Sequence, residues 1–383
     1  MTAASEAERR RLHDTFAALC RIESPSLHER ACADAVAAEL AELAIEVSED
    51  SAGVALGGDC GNLFARIPGS GERSILFCAH LDTVPLAAPV EPVIVAGGWE
   101  NANDGILGAD NKVAVAVLLL LARRLTQAAE PPSAGVELLF TVGEELTLAG
   151  AKEFEAGILR SAVGYAFDSA QPVGGVVVAS PTHYRLGAVL HGVAAHAGVR
   201  PENGRSAILA AARAIAQMPL GRIDSETTAN IGTISGGSAA NVVPDRCELT
   251  GEVRSLDGER AERLASDIAG FLADAANDPE CECDLDVTLE RQFEGYRVRP
   301  SAAEVALAFD ALRACGHDPR PIPSGGGSDV NALRSRGLAM LNLSNGTERN
   351  HEPTERVATR ALEDVLDLAI ALVDRAGLSA PPS

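Results

Sequence analysis

The order of apolar and polar positions along the chain changes character twice. Up to about residue 180, apolar runs of strand length alternate with stretches of helical period. An N-terminal helix leads to a second at about 28–44, and strands follow near 62–67 and 74–80. The run KVAVAVLLLLARRL at 112–125 reads as a buried helix; the strand VELLFTV, a short helix near 148–156 and the strand VGYAFD complete the series. Such alternation predicts an α/β fold, a mostly parallel sheet sandwiched by helices.

From about 181 to 295 the rhythm becomes strand (184–193), helix (205–217), strand (228–235), strand (241–254), helix (258–275) and strand (282–290). That order is the split βαβ, ferredoxin-like unit, an α+β domain. The turn SGG at 235–237 separates the middle strands, and Asp257 is placed to cap the second helix. Alternation resumes after 295. The expected domains are therefore 1–180 with 296–383, and an inserted lid at 181–295.

A length of 383 residues accommodates two such cores. The formal net charge of -22 repels a phosphate backbone or an anionic membrane surface, so nucleic acid and membrane are not expected partners. The 112–125 run falls short of the roughly 20 residues that a bilayer requires. The opening MTAASEAERRRLHDTF lacks the apolar core of a secretory signal, which makes the cytoplasm the expected location. Eight scattered cysteines, with only Cys281 and Cys283 close together, read as reduced and structural.

The candidate chemistry sits where apolar runs end. ILFCAHLDTVP places His80 and Asp82 two apart, on one side of an extended segment. GILGADNK carries Asp110, LLFTVGEEL Glu144 and Glu145, VGYAFDSA Asp168, and LSNGTERNHEPTERV His351. Singly, an aspartate after a strand is a turn residue or a helix cap. Together, at the carboxyl ends of parallel strands, these groups would share one crevice. So many carboxylates in a partly buried cleft cost several kcal/mol unless positive charge sits among them, and divalent metal is the simplest compensation. Nitrogen and oxygen donors without thiolate suit zinc, cobalt or manganese, and five such side chains suffice for two ions sharing a carboxylate.

HLDTVP, GADNK, TVGEEL, FDS and NHEPTERV resemble, in order and over most of the chain, the dizinc metallopeptidases that include peptidase T, carboxypeptidase G and aminoacylase. TVGEEL followed by AGAK, the FDS segment and HAGVRPENGRSAI are most similar to the peptidase T, tripeptide aminopeptidase, branch. The resemblance implies a zinc exopeptidase-like fold, with His80 and Asp168 on one ion, Glu145 and His351 on the other, and Asp110 between them. It implies Asp82 as the group that orients His80, Glu144 as general base, and His196 as an oxyanion donor that in dimeric relatives comes from the partner subunit. The implied substrate is a short peptide cut at its N-terminal bond, or alternatively an N-acyl amino acid; a binding protein without turnover is the remaining alternative. A homodimer is expected.

Asn241 and Arg254, placed on one strand, and the loop SGGGSDVNAL with Gly326, Gly327 and Ser328 are candidate substrate contacts. Arg254 could grip a carboxylate and the loop could offer N–H groups at a helix start. His13, His28, His183, His191 and His317 belong to no motif. Asn111 and Glu352 depart from the pattern, where aspartate and threonine are common.

Overall fold

The computed structural model describes residues 3–378 and divides them into two compact units. Of the described residues, the first comprises 3–179, 298–324 and 328–378, and the second 180–297 with 325–327.

The first unit is built on a sheet whose central strands, Gly135–Thr141, Ser74–His80, Val163–Ser169 and Ala339–Ser344, run parallel in that spatial order. Leu63–Ile67 extends it antiparallel beyond Gly135–Thr141. Successive strand residues point to opposite faces, yet every residue of Gly135–Thr141 and six of seven in Ser74–His80 are buried. Both faces are therefore covered, as expected for strands that read as continuous apolar runs.

Ala109–Gln127 explains the longest apolar stretch. It is buried without a break from Asn111 to Ala122, so its β-branched run cannot be an edge strand and packs as an all-round apolar helix. Lys112 is the exception in that run. Its ammonium donates to the carbonyls of Leu19 and Ile22 and to Ser24 Oγ at 2.8 Å, which offsets the cost of burying it. Glu137, equally buried in a central strand, accepts from the main-chain N–H groups of Arg160 and Ser161 and from Arg66.

The second unit is an antiparallel sheet of strands Thr227–Gly236, Arg246–Ser255, Thr182–His191 and Asp284–Phe293 in that order, with the short Gly221–Arg222 at one edge. This is the ferredoxin-like order. Helices Ala207–Gln217 and Gly258–Ala276 share an apolar core with its alternating residues Leu186, Ala188 and Leu190. Asp257 caps the second helix, accepting from Arg260 N at 3.1 Å. The largest boundary difference from expectation is in the third strand, which begins at Arg246 rather than 241. Pro244 has no N–H to donate to a ladder, and the residues before it make only an isolated bridge from Val242 to His196.

Among the described residues no helix is long and apolar enough to cross a membrane. All eight cysteines are free, and all but Cys315 are buried.

Candidate metal centre

The first unit gathers His80, Asp82, Asp110, Glu144, Glu145, Asp168 and His351 at the carboxyl end of its parallel strands. His80 is the last residue of its strand, and Asp168 lies one from the end of the neighbouring one. Asp110 occupies an irregular first turn of Ala109–Gln127, with φ -84° and ψ 103°, and is joined to Asn111 by a cis peptide bond. Glu144 and Glu145 lie not on a strand but in the turn after Thr141, which Gly143 opens at φ 59°, a left-handed conformation natural to glycine.

His80 Nε2 stands 3.3 Å from Asp110 Oδ1 and 3.5 Å from Asp168 Oδ1. His351 Nε2 stands 2.8 Å from Glu145 Oε1 and 3.4 Å from Asp110 Oδ2. The two oxygens of Asp110 thus face different histidines. Ligand atoms of His80, Asp110 and Asp168 lie within 4.8 Å of one another, and so do those of Asp110, Glu145 and His351. These are two imidazole and carboxylate sets sharing one carboxylate, a donor chemistry that fits a pair of hard-to-borderline divalent ions.

The electrostatics point the same way. Burial opposes charge on His80, but hydrogen bonds to Asp110, Asp168 and Asp82 outweigh it and raise its pKa well above the usual histidine value. His351, held by Asp110 and Glu145, is raised to about 10. Burial and the charge of Asp110 push Asp168 up to about 8. Burial raises Glu144 well above the carboxylate range, with Asp168, Asp329 and Glu145 adding to it against the pull of His80. Asp110 goes the other way: burial would raise it, but its hydrogen bonds to His351 and His80 win and hold it well below the usual carboxylate range.

Asp82 divides its work differently from the expectation. His80 Nδ1 donates to the main-chain carbonyl of Asp82 at 2.9 Å, while the carboxylate oxygen Oδ1 is 3.4 Å away. That carboxylate accepts the N–H groups of Glu144 at 3.0 Å and Glu145 at 3.1 Å, and the hydroxyl of Ser26 at 2.7 Å. Asp82 therefore fixes the ring of His80 chiefly by its backbone and the glutamate turn by its side chain. With Nδ1 donating, Nε2 is the nitrogen left to face a ligand.

Several supporting residues carried no signal in the sequence. Glu355, buried, accepts from Gly108 N at 2.7 Å and Asp110 N at 2.9 Å, clamping the chain on both sides of Ala109. Asn350 donates to Asp110 Oδ2 at 2.7 Å. Asn342 accepts from Asp168 N and donates to Asp168 O. Asp329 accepts from Thr141 Oγ1 beneath the strand ends. Only position within a motif could have suggested Glu355, four residues after His351. Asn111 donates to Asp168 Oδ1 at 3.3 Å, a contact in which an aspartate would repel its neighbour. Glu352 is exposed. Glu355→Ala is expected to weaken divalent-metal binding roughly 10- to 100-fold, as loss of an outer support does, measured by competition with a chromophoric chelator.

The remaining candidates belong mostly to the second unit. His196 is exposed, and its neighbour Ala197 donates to the carbonyl of Asn241 at 2.9 Å, so these two positions adjoin. Arg254 lies toward the far end of the Arg246–Ser255 strand from them, roughly 26 Å from Arg246 by strand rise. Its guanidinium grips Glu252 through two bonds of 3.0 Å, because side chains two apart on a strand share a face. Glu252, held also by His183, has its pKa lowered to about 2. Asn241 thus lies outside the strand that carries Arg254, where one strand was expected to hold both, and Arg254 is paired with Glu252.

The glycine loop also serves packing and capping. A Cβ at Gly327 would lie 2.4 Å from the Phe293 ring, and Gly326 O accepts from Ser180. Ser328 forms a capping box with Asn331 at the start of the six-residue helix Asp329–Arg334.

Comparison with known proteins extends the picture. A peptidase dimerisation domain model matches residues 182–279, and a peptidase family M28 model matches 62–174. The uncharacterized protein YqjE of Bacillus subtilis is 34% identical, with 96% of this chain and 98% of that protein covered. Among solved structures, aminopeptidase PepT from Bacillus cereus is 35% identical over 96% of this chain and 98% of its own, with a TM-score of 0.86. A tripeptidase from Staphylococcus aureus is 31% identical over 97% and 99%, with a TM-score of 0.91. The relation spans both units, and the chain belongs to the peptidase T-like family of dizinc metallopeptidases.

Proposed function

We propose that this metallo-exopeptidase removes the N-terminal residue of short peptides, tripeptides among them. The observation that carries the reading is Asp110, with one oxygen toward His80 and the other toward His351, and Glu144 buried among the same groups. His80 and Asp168 would hold one divalent ion, Glu145 and His351 the other, with Asp110 shared. When bound, the two ions, zinc in this reading, supply acidification of the attacking water and polarisation of the scissile carbonyl.

Glu144 takes the proton released as water attacks the carbonyl carbon and delivers it to the nitrogen as the C–N bond breaks. Its burial beside other carboxylates raises its proton affinity above that of an ordinary glutamate, which suits a group that must accept a proton. Asp82 holds the turn that presents it. His196 is the donor proposed for the developing oxyanion. His196→Ala is expected to lower kcat roughly 10²- to 10³-fold with metal content unchanged, as loss of one such donor does, measured by steady-state kinetics beside elemental analysis.

The match to a dimerisation domain over 182–279 supports a homodimer, and the acidic chain without a membrane-crossing helix among its described residues fits a cytoplasmic enzyme. A panel of tripeptides with free N-termini and N-acyl amino acids tests the substrate reading. Tripeptides are expected to be cut at the first bond; hydrolysis of the acylated compounds alone would replace the aminopeptidase assignment with a deacylase.

A further inference from the structure

A second cluster of metal-type donors lies in the first unit, apart from the seven residues of the centre. One ligand atom each from Glu29, Asp59 and Cys60 lie within 4.8 Å of one another. Glu29 is fully buried, with 0% exposure. Its Oε1 accepts from Gly143 N at 2.9 Å, whereas Oε2 has no hydrogen-bond partner among the described residues. Asp59 is divided in the same way. Its Oδ1 accepts from Arg30 N at 3.0 Å, and Oδ2 is 4.0 Å from Nδ1 of the exposed His28 ring. Each carboxylate thus commits one oxygen to a main-chain N–H and keeps the other.

The nearby cation does not answer this arrangement. The Arg30 guanidinium binds Glu49 at 2.5 and 3.0 Å, Asp34 at 3.2 Å and the main-chain carbonyl of Asp59, and none of these bonds reaches the Glu29 or Asp59 carboxylate. A buried carboxylate oxygen without a donor is costly, and a bound cation removes that cost. The cluster adds a sulfur donor, Cys60, which is 3% exposed, to two oxygens, and the exposed His28 ring adjoins the Asp59 carboxylate.

We propose that Glu29, Asp59 and Cys60, completed by His28, bind one zinc-like divalent cation at a site separate from the dimetal centre. Mixed thiolate, imidazole and carboxylate donors suit zinc or cadmium in tetrahedral coordination, in contrast to the thiolate-free main centre. Binding exchanges the Cys60 thiol proton for the metal and releases that proton to solvent. The ion would tie the chain at 28–30 to that at 59–60, and through Glu29 Oε1 would steady Gly143, which opens the turn carrying Glu144 and Glu145.

The absence of cysteine from the main centre makes the test selective. The full chain, freed of metal by a chelator, is titrated with cadmium alone while the thiolate-to-cadmium charge-transfer absorption is followed in the ultraviolet. One band-bearing equivalent per chain is expected in the wild type and none in Cys60→Ser. Asp59→Asn, an exposed change that spares the core, is expected to weaken the band-bearing event by about tenfold or more. No band in the wild type, a band surviving in Cys60→Ser, or wild-type affinity in Asp59→Asn would each overturn the proposal.

Discussion

Glu144→Ala is expected to lower kcat by roughly 10²- to 10⁴-fold while leaving two divalent ions per chain, because it removes a proton carrier and leaves both imidazole and carboxylate sets intact. The turn should persist, since Asp82 holds it through the main-chain N–H groups of residues 144 and 145 rather than through the Glu144 side chain. KM should change little. Steady-state kinetics and elemental analysis on the same preparation check this result. Because a Glu144 carboxylate oxygen also comes within ligand distance of His80 and Glu145, a parallel loss of metal and activity would make Glu144 a ligand instead of the base.

The second large effect is expected at Asp110. Its two oxygens serve different histidines, so Asp110→Ala should disturb both ion positions at once, dropping metal content well below that of Asp168→Ala and abolishing measurable turnover. Asp168→Ala touches only the set containing His80 and should retain the ion on Glu145 and His351. Metal content after equilibrium dialysis against a fixed free zinc concentration distinguishes the two variants. Two ions retained by Asp110→Ala would mean that the carboxylate is not shared.

Much of this architecture is legible in the chain because the central strands are buried on both faces. Ser74–His80 and Gly135–Thr141 read as unbroken apolar runs, and a polar residue just past such a run has only the open end of the sheet to occupy. The Asn111-to-Ala122 segment is similarly unambiguous, being too long for a strand and apolar on all sides. The fold class and the gathering of His80, Asp110, Glu145, Asp168 and His351 follow from that simple pattern.

What stayed hidden depends on main-chain groups, which have no signature of their own. Glu355 matters because it accepts the N–H groups of Gly108 and Asp110, some 250 residues away, and only the folded chain supplies those donors. In the sequence Asp82 is a partner for an imidazole two residues off, yet in the fold its carboxylate also accepts two backbone amides of a turn more than sixty residues later. Arg254 was judged by its charge alone. The glutamate two positions earlier on the same strand face, Glu252, captures it.

Asp110 and the four residues around it, His80, Glu145, Asp168 and His351, come from separate strand ends, turns and a helix start between positions 80 and 351. No local segment of the unfolded polypeptide can reproduce that seat, so divalent ions held there would act as folding ligands. By mass action, each ion present at 100 times its dissociation constant would add about 2.7 kcal/mol to the native state. The longevity of the enzyme would thereby be coupled to metal supply, and scarcity would remove the molecule itself along with its activity.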